Sequence, residues 1–337
     1  MTPSKDSLPA SPLVPNLGAL DGVSVILPVL NEELHISKAI DAILAQDYLG
    51  KLEIILALGP SRDQTVEIVR ALQDKDVRII LVDNPTGRTA TGLNLALSKS
   101  HYSIIVRVDG HAQIPHDYIS TAVRILNETG AVNVGGVMGA EGVTSFEKSV
   151  ASAMRSPLGV GSSNFHTGGD AGPVDTVYLG CFNRLALEKV GGFDERFKRA
   201  QDWELNFRLR SAGGVVYFDP RLHVTYRPRP NLIALAKQYF EYGRWRRVVM
   251  RRHQGTANLR YLAPPCALIG TVTSLICGIA FSPLFFFPAM VYLLFILSSS
   301  LAIGKGVTAK FRLPAILLVM HMSWGAGFPT SPKTLAP

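Results

Sequence analysis

Residues 103–111 read SIIVRVDGH. The branched side chains Ile104, Ile105, Val106 and Val108 favour a pleated strand, and a run so nearly apolar suits a strand covered on both faces. The run ends in Asp109, Gly110 and His111. In an extended chain, positions two apart point the same way, so a carboxylate and an imidazole at this spacing could share a divalent metal. Asp-Gly is equally the commonest hairpin signal, and a plain turn accounts for the same residues. The nine residues leave both readings open.

Working outward, VSVILPV (23–29), LEIILAL (52–58) and VRIILVD (77–83) repeat the same short apolar run. The segments between them have helical period: Ile36, Ile40, Ile43 and Leu44 form one stripe, and Ile119, Ala122, Val123 and Leu126 another. Alternating strands and helices with short links predict an α/β fold with a mostly parallel, doubly wound sheet. Ligands of such sheets lie beyond the carboxyl ends of the strands. Those ends hold Asn31 and Glu32, Gly59 to Asp63, Asn84 to Arg88, and Asp109 to His111.

Each polar residue there has a plain structural reading. Pro28 marks a strand that ceases to donate hydrogen bonds. Asn31 suits a helix N-cap, with Glu32 and Glu33 in the first turn. Arg88 near a helix start could meet a phosphate, because the free N–H groups there already favour anions. Asp83 suits a cap or a loop brace. In QDWELNFR (201–208), Asp202 is a natural N-cap, yet a carboxylate at a helix start facing a crevice could also act as a general base.

The middle of the chain, 135–226, is looser. GVGSSNFHTGGDAG (159–172) reads as a loop forming a mobile rim and DTVYLGCFNR (175–184) as a strand; GGFDERF (191–197) follows, and then the segment from Asp202 reads as a helix stopped by Gly213.

Beyond Leu262 the character changes. Residues 262–281 and 284–304 contain no charge, and at about 1.5 Å per residue each is long enough to cross a hydrocarbon core of about 30 Å. Arg244, Arg246, Arg247, Arg251, Arg252 and Arg260 precede them, and Lys305, Lys310 and Arg312 follow. Positive charge at both outer ends predicts a hairpin with those ends in the cytoplasm. A third apolar stretch, 313–328, reaches only about 24 Å and reads as an interfacial or re-entrant segment, with a third span as the other reading.

The whole chain has 337 residues, 18% of them charged, with a net charge of +8. That balance asks for an anionic partner: lipid headgroups, a phosphorylated substrate or nucleic acid. The arginines at 244–252 would suit nucleic-acid phosphates, but no recognition motif accompanies them and membrane orientation already requires them, so no nucleic acid is expected. Cys181, Cys266 and Cys277 lack metal-type spacing and imply no disulfide framework. Residues 1–21 are Pro- and Ser-rich without an apolar run of signal-peptide length, and read as a disordered leader.

In order, the chain carries PxxNE at the first strand end, Ser-x-Asp-x-Thr after the second and Asp-x-His at the fourth. GGFDE, an acidic helix start and an Arg-Trp pair before the apolar spans follow. This ordered set resembles the family 2 glycosyltransferases of GT-A fold, and most of all the membrane-bound branch that builds succinoglycan-type exopolysaccharides, over about residues 22–328. The resemblance implies a leader (1–21), a GT-A domain (22–240), a basic juxtamembrane segment (241–261), a membrane region (262–328) and a tail (329–337). It implies inverting transfer of a sugar from a nucleotide diphosphate, a UDP-sugar first, to a hydroxyl of a lipid-linked or cell-envelope polysaccharide acceptor at the plasma membrane.

Under it Pro28, Asn31 and Glu32 border the nucleoside and Asp63 the base or ribose, with Arg88 among the donor contacts. Asp109 contacts ribose or metal, and His111 ligates a divalent metal on the diphosphate. Asp202 is the catalytic base, and Arg244 with Trp245 closes over diphosphate or acceptor. An imidazole ligand favours Mn²⁺ over Mg²⁺. The chain departs from the family pattern at Leu58 and Gln201, where acids are usual, and at Gln238, too far from Arg244 for the motif of processive synthases. Addition of one sugar is therefore expected. The departures at Leu58 and Gln201 also motivate the alternative of a non-catalytic nucleotide-sugar-binding partner in envelope glycan assembly.

Overall fold

The computed structural model describes residues 21–335. Residues 1–20 of the expected leader and the last two residues lie outside them. The elements run in order β1 (Val23–Val29), α1 (Ile36–Leu44), β2 (Leu52–Leu58), α2 (Thr65–Gln73), β3 (Ile79–Asp83), α3 (Thr89–Lys99), β4 (Ile104–Arg107), α4 (Tyr118–Thr129) and β5 (Asn133–Ala140). Three short helices follow, α5 (Ser145–Met154), α6 (Pro157–Val160) and α7 (Asn164–Thr167), then β6 (Gly172–Pro173), β7 (Tyr178–Asn183), α8 (Arg184–Lys189), α9 (Gln201–Ser211) and β8 (Val216–Tyr226). Four long helices close the described chain: α10 (Leu232–Arg252), α11 (Leu259–Ala280), α12 (Phe287–Ile303) and α13 (Val307–Gly327).

These elements form two compact units. The first comprises residues up to 138 and 168–225, and the second 139–167 with 226–337. The segment 139–167, inside the 22–240 range expected for the GT-A domain, groups by contacts with the C-terminal helices.

In the first unit one sheet has the order β3-β2-β1-β4-β7-β5-β8-β6 among the described residues. Pairs β3/β2, β2/β1 and β1/β4 are parallel, whereas β4/β7, β7/β5 and β6/β8 are antiparallel. Ile36, Ile40 and Ile43 of the expected stripe on α1, and Ile119, Ala122, Val123 and Leu126 on α4, are buried against one face. Ala90, Leu93 and Leu97 of α3 and Leu205 and Leu209 of α9 cover the other. Helices on both faces explain why the strands carry little period-2 alternation.

Strands β1, β2 and β3 stop level with one another and β4 stops earlier, opposite Ile26, and each ladder runs one residue past its last pair. Gly59 N donates to Val29 O and Asn84 N to Leu58 O, both at 2.8 Å, and Val108 N donates to Ile26 O at 3.1 Å. Pro28 fits this pattern. Alternate residues of β1 face β4, and the β1/β4 register ends at Ile26 opposite Arg107, so the missing proline N–H faces a side where pairing has already ceased.

At the opposite end of the same strands the sheet buries a carboxylate. Glu53 is 7% exposed, and Ser24 Oγ at 2.5 Å and His101 N at 2.6 Å donate to its Oε1, while His101 Nδ1 lies 2.9 Å from Oε2. Burial pushes its carboxyl up, but these hydrogen bonds outweigh burial and hold it below the ordinary glutamate range. Replacing Glu53 by Ala strands the Ser24 and His101 donors and is expected to cost about 2 kcal/mol in chemical denaturation at neutral pH. Because the folded value is depressed, that contribution is present above the unfolded glutamate range and fades as pH falls through the folded value.

The second unit is helical. Leu313, Ile316, Leu317 and Met320 form a fully buried stripe along α13, which packs on α10, α11, α12 and α5. Helices α10 and α13 come so close that a Cβ on Gly243 would meet Trp324 O at 2.2 Å and one on Gly327 would meet Phe240 O at 2.0 Å. Two segments, Arg260–Ala280 and Pro283–Ile303, are long and apolar enough to cross a membrane. Most of α12 faces outward: Leu293, Leu294, Leu297 and Leu301 are 53, 59, 42 and 62% exposed. The third apolar stretch, 313–328, lies almost wholly in a continuous helix of 21 residues that starts at Val307 and passes through Lys310, Arg312 and Pro314, with its apolar stripe packed on neighbouring helices.

Candidate active site

Strand β4 ends at Arg107, two residues before Asp109. Residues 109–112 form a turn closed by Ala112 N donating to Asp109 O at 2.8 Å. The turn reading of Asp-Gly is therefore correct for the backbone, and the extended spacing that aligned Asp109 with His111 is not. The two side chains are instead presented by one tight turn. It lies against Glu32: a Cβ on Gly110 would come 3.0 Å from Glu32 Cγ. His111 Nδ1 sits 2.8 Å from Glu32 Oε1.

Arg107 organises the other half of the site. Its side chain is 4% exposed, and its Nε and Nη2 donate to Asp109 Oδ1 at 3.1 and 2.9 Å. Its Nη1 donates to Asp202, 95 residues further along the chain. One planar guanidinium thus joins the two acids, geometry that a lysine ammonium cannot copy. Burial alone would lower the arginine, but the charges of Asp109 and Asp202 outweigh it and hold Arg107 above its ordinary range. Asp202 is pushed above the usual aspartate range by desolvation, against the opposing charge of Arg107. Its side chain still keeps 29% of its exposure, which leaves it open to a reactant.

Asp202 is not the N-cap. That position is Ala200, at φ 60°, and Asp202 stands in the first turn of α9, where the helix N-terminus favours a negative charge. Its carboxylate bonds Arg107 rather than a backbone N–H, an ion pair in place of a bond to an uncharged donor. The loop feeding α9 is anchored by the GGFDE segment: Glu195 accepts from Thr91 Oγ1 at 2.7 Å and Asn94 Nδ2 at 3.0 Å. Asn94 Oδ1 in turn accepts from Phe193 N at 2.8 Å. Glu204 forms a two-point pair with Arg208, at 2.7 Å each, and its side chain is 1% exposed, so it braces the helix.

Asn31 is not a cap either. Helix α1 begins at Ile36, with His35 at the cap position. Asn31, at φ 55°, instead stitches the first strand end to the second. Its N–H donates to Ser61 Oγ at 3.0 Å, and its Oδ1 accepts from Arg62 N at 2.8 Å. Glu32 N donates to Thr65 Oγ1 at 2.8 Å, Glu33 N to Asp63 Oδ2 at 3.3 Å, and Gln64 N to Glu33 Oε2 at 3.0 Å. Asp63 accepts from the Thr65 hydroxyl at 2.5 Å, the main cause of its lowered carboxyl pKa, so it stays ionised. PxxNE and Ser-x-Asp-x-Thr are thus two halves of one interlock, with Pro28 behind it in β1.

Arg88 occupies the cap position of α3, after the third strand end, and is exposed. Arg244 and Trp245 belong to α10 in the second unit. There Arg244 pairs with Glu241 at 3.3 Å and lies over the Phe240 ring at 4.9 Å, while Trp245 is 2% exposed. The expected loop at 159–172 contains parts of α6, all of α7 and the start of β6.

The chain belongs to glycosyl transferase family 2. The family model matches residues 24–191. The succinoglycan biosynthesis protein ExoA of Rhizobium meliloti (strain 1021) is 30% identical over 316 residues, 90% of this chain and 93% of that protein. A dolichyl N-acetyl-alpha-D-glucosaminyl phosphate 3-beta-D-2,3-diacetamido-2,3-dideoxy-beta-D-glucuronosyltransferase of Methanococcus voltae is 26% identical over 91% of this chain and 95% of its own length. Among solved structures, the mannosyltransferase PcManGT of Pyrobaculum calidifontis, determined with GDP-Man and Mn²⁺, superposes with a TM-score of 0.59 at 20% identity, covering 95% of this chain and 90% of that one. The fold is GT-A, a Rossmann-like, mostly parallel sheet followed by apolar helices, and the protein is a glycosyltransferase.

Proposed function

We propose that this chain is a membrane-anchored, inverting glycosyltransferase that moves one sugar from a nucleotide-diphosphate donor, a UDP-sugar first, to a hydroxyl of a lipid-linked or cell-envelope acceptor. The observation that carries the reading is the guanidinium of Arg107 holding Asp109 and Asp202 together beyond the carboxyl ends of the parallel strands. Asp202 takes the proton of the acceptor hydroxyl as its oxygen attacks the anomeric carbon from the face opposite the leaving group. The bond from that carbon to the diphosphate breaks, and the nucleoside diphosphate departs with the electron pair. Asn31, Glu32 and Asp63 border the nucleoside, and Arg88 offers a cation at a helix start to its phosphates.

Among the described residues no group of three or more His, Cys, Asp or Glu side chains could hold a metal ion. Asp109 and His111 would supply two donors of an octahedral set, which fits an ion completed by substrate phosphate oxygens and water. Glu32 on the Nδ1 side of His111 is the arrangement that orients a ligand imidazole. A divalent ion bound there supplies positive charge against the departing diphosphate. The His111 nitrogen favours Mn²⁺ over Mg²⁺. Electron paramagnetic resonance of Mn²⁺ with nucleoside diphosphate present is expected to show affinity falling about tenfold or more in Glu32→Gln. His111→Ala should remove the preference for Mn²⁺ over Mg²⁺. Unchanged Mn²⁺ affinity in both variants would count against this ligand assignment.

Positive charge before the first apolar span and after the second supports a hairpin with the catalytic unit on the cytoplasmic side of the plasma membrane. The direct test is a panel of nucleotide sugars offered with Mn²⁺ to the purified full chain, with products read by mass spectrometry. Hydrolysis or transfer of none of them would overturn the proposal.

A further inference from the structure

The second unit contains a groove of about 490 Å³ between α5 and the α12–α13 link, lined by Lys148, Arg155 and Lys305. Glu141 is the one carboxylate among its described lining residues, so three cations face one acid. All three cations are exposed and none makes an ion pair among the described residues. Ser149 and Ser152 donate to the carbonyls of Ser145 and Lys148 one turn earlier, at 3.0 Å each, which leaves the cations as the groove's main donors. Arg312 donates to Ser145 Oγ at 2.6 Å, adding a fourth positive charge at the edge. Such a lining selects an anion with several acceptor oxygens.

Its position says what carries the anion. Lys305 lies two residues beyond Ile303, where the candidate span Pro283–Ile303 ends. Val307 and Phe311, 71 and 82% exposed, follow it at the start of α13. Cations at the end of an outward-facing apolar helix, beside exposed apolar side chains, match an amphiphile with a phosphate head and a hydrocarbon tail.

We propose that this groove binds the phosphate of the lipid that carries the acceptor. The inference rests on the reading of the acceptor as lipid-linked and adds where its carrier is held.

The test uses the full chain in phosphatidylcholine nanodiscs, with retention of added polyprenyl diphosphate, polyprenol or phosphatidylglycerol read by native mass spectrometry. Wild-type protein should retain the diphosphate about tenfold or more over polyprenol, and Lys148→Gln/Arg155→Gln/Lys305→Gln should lose that preference. Hydrolysis of the nucleotide sugar should be unchanged, which also shows that the variant is folded. A variant that keeps the wild-type preference overturns the proposal. Equal retention of phosphatidylglycerol and the diphosphate by wild-type protein also overturns it, by making the groove a general anionic-lipid surface. The readout needs no turnover. Groove-dependent retention by a chain that hydrolyses no nucleotide sugar removes the catalytic reading and leaves the groove standing, and the converse result removes only the groove.

Discussion

Asp202→Asn protein is expected to bind the nucleotide-sugar donor as wild type does and to turn it over at least about a thousandfold more slowly. The amide keeps the shape of the side chain and its hydrogen bond to Arg107 but cannot take a proton. Titration calorimetry with donor and steady-state transfer separate the two effects. Loss of donor affinity in a folded variant would move Asp202 to the donor site instead. In the wild type, kcat/KM should fall on the acid side as pH drops through the Asp202 pKa, because the protonated acid is no base. Desolvation places that limb above the ordinary aspartate value of about 4.

The second large effect concerns Arg107. Arg107→Met fills similar volume but leaves Asp109 and Asp202 facing each other without their shared cation. Removing one partner from a buried pair costs about 3–5 kcal/mol. Here the two carboxylates retain 19 and 29% of their exposure, so water recovers part of that, and about 2–3 kcal/mol is expected. A thermal melt should register it as roughly 5–10 °C. The acid limb of kcat/KM should also move upward, because the charge that opposes desolvation of Asp202 is gone. Arg107→Lys should restore part of the stability but not the rate, since one ammonium cannot bond both carboxylates in the geometry of a planar fork. A purely structural arginine would change the melt and leave the pH profile in place.

Where the signal was local, the sequence predicted structure closely. The runs at 23–29 and 52–58 coincide with β1 and β2, and the stripes from Ile36 and Ile119 are the buried faces of α1 and α4. The expected run at 77–83 is shorter as a strand, because pairing with β2 begins only at Ile79 opposite Ile54. What escaped the sequence was long-range. Arg107 stands inside SIIVRVDGH as a charged interruption, and nothing near it indicates that its second carboxylate arrives with α9. The capping readings of Asn31 and Asp202 used correct residue preferences, but Asn31 accepts from the backbone of Arg62 and Asp202 pairs with Arg107, each on a distant segment. His111 was picked out by its neighbour Asp109, whereas its oriented contact with Glu32 depends on two strand ends lying side by side.

The second unit is assembled from two stretches of chain, and this has a consequence during synthesis. Helix α5 leaves the ribosome roughly 150 residues before α13, the helix on which it packs. At about 5–20 residues per second, its apolar side waits on the order of ten seconds for a partner. A shortened polypeptide that stops at the end of the family match would never supply one, so soluble expression of that region alone would expose a sticky surface to chaperones and to other nascent copies.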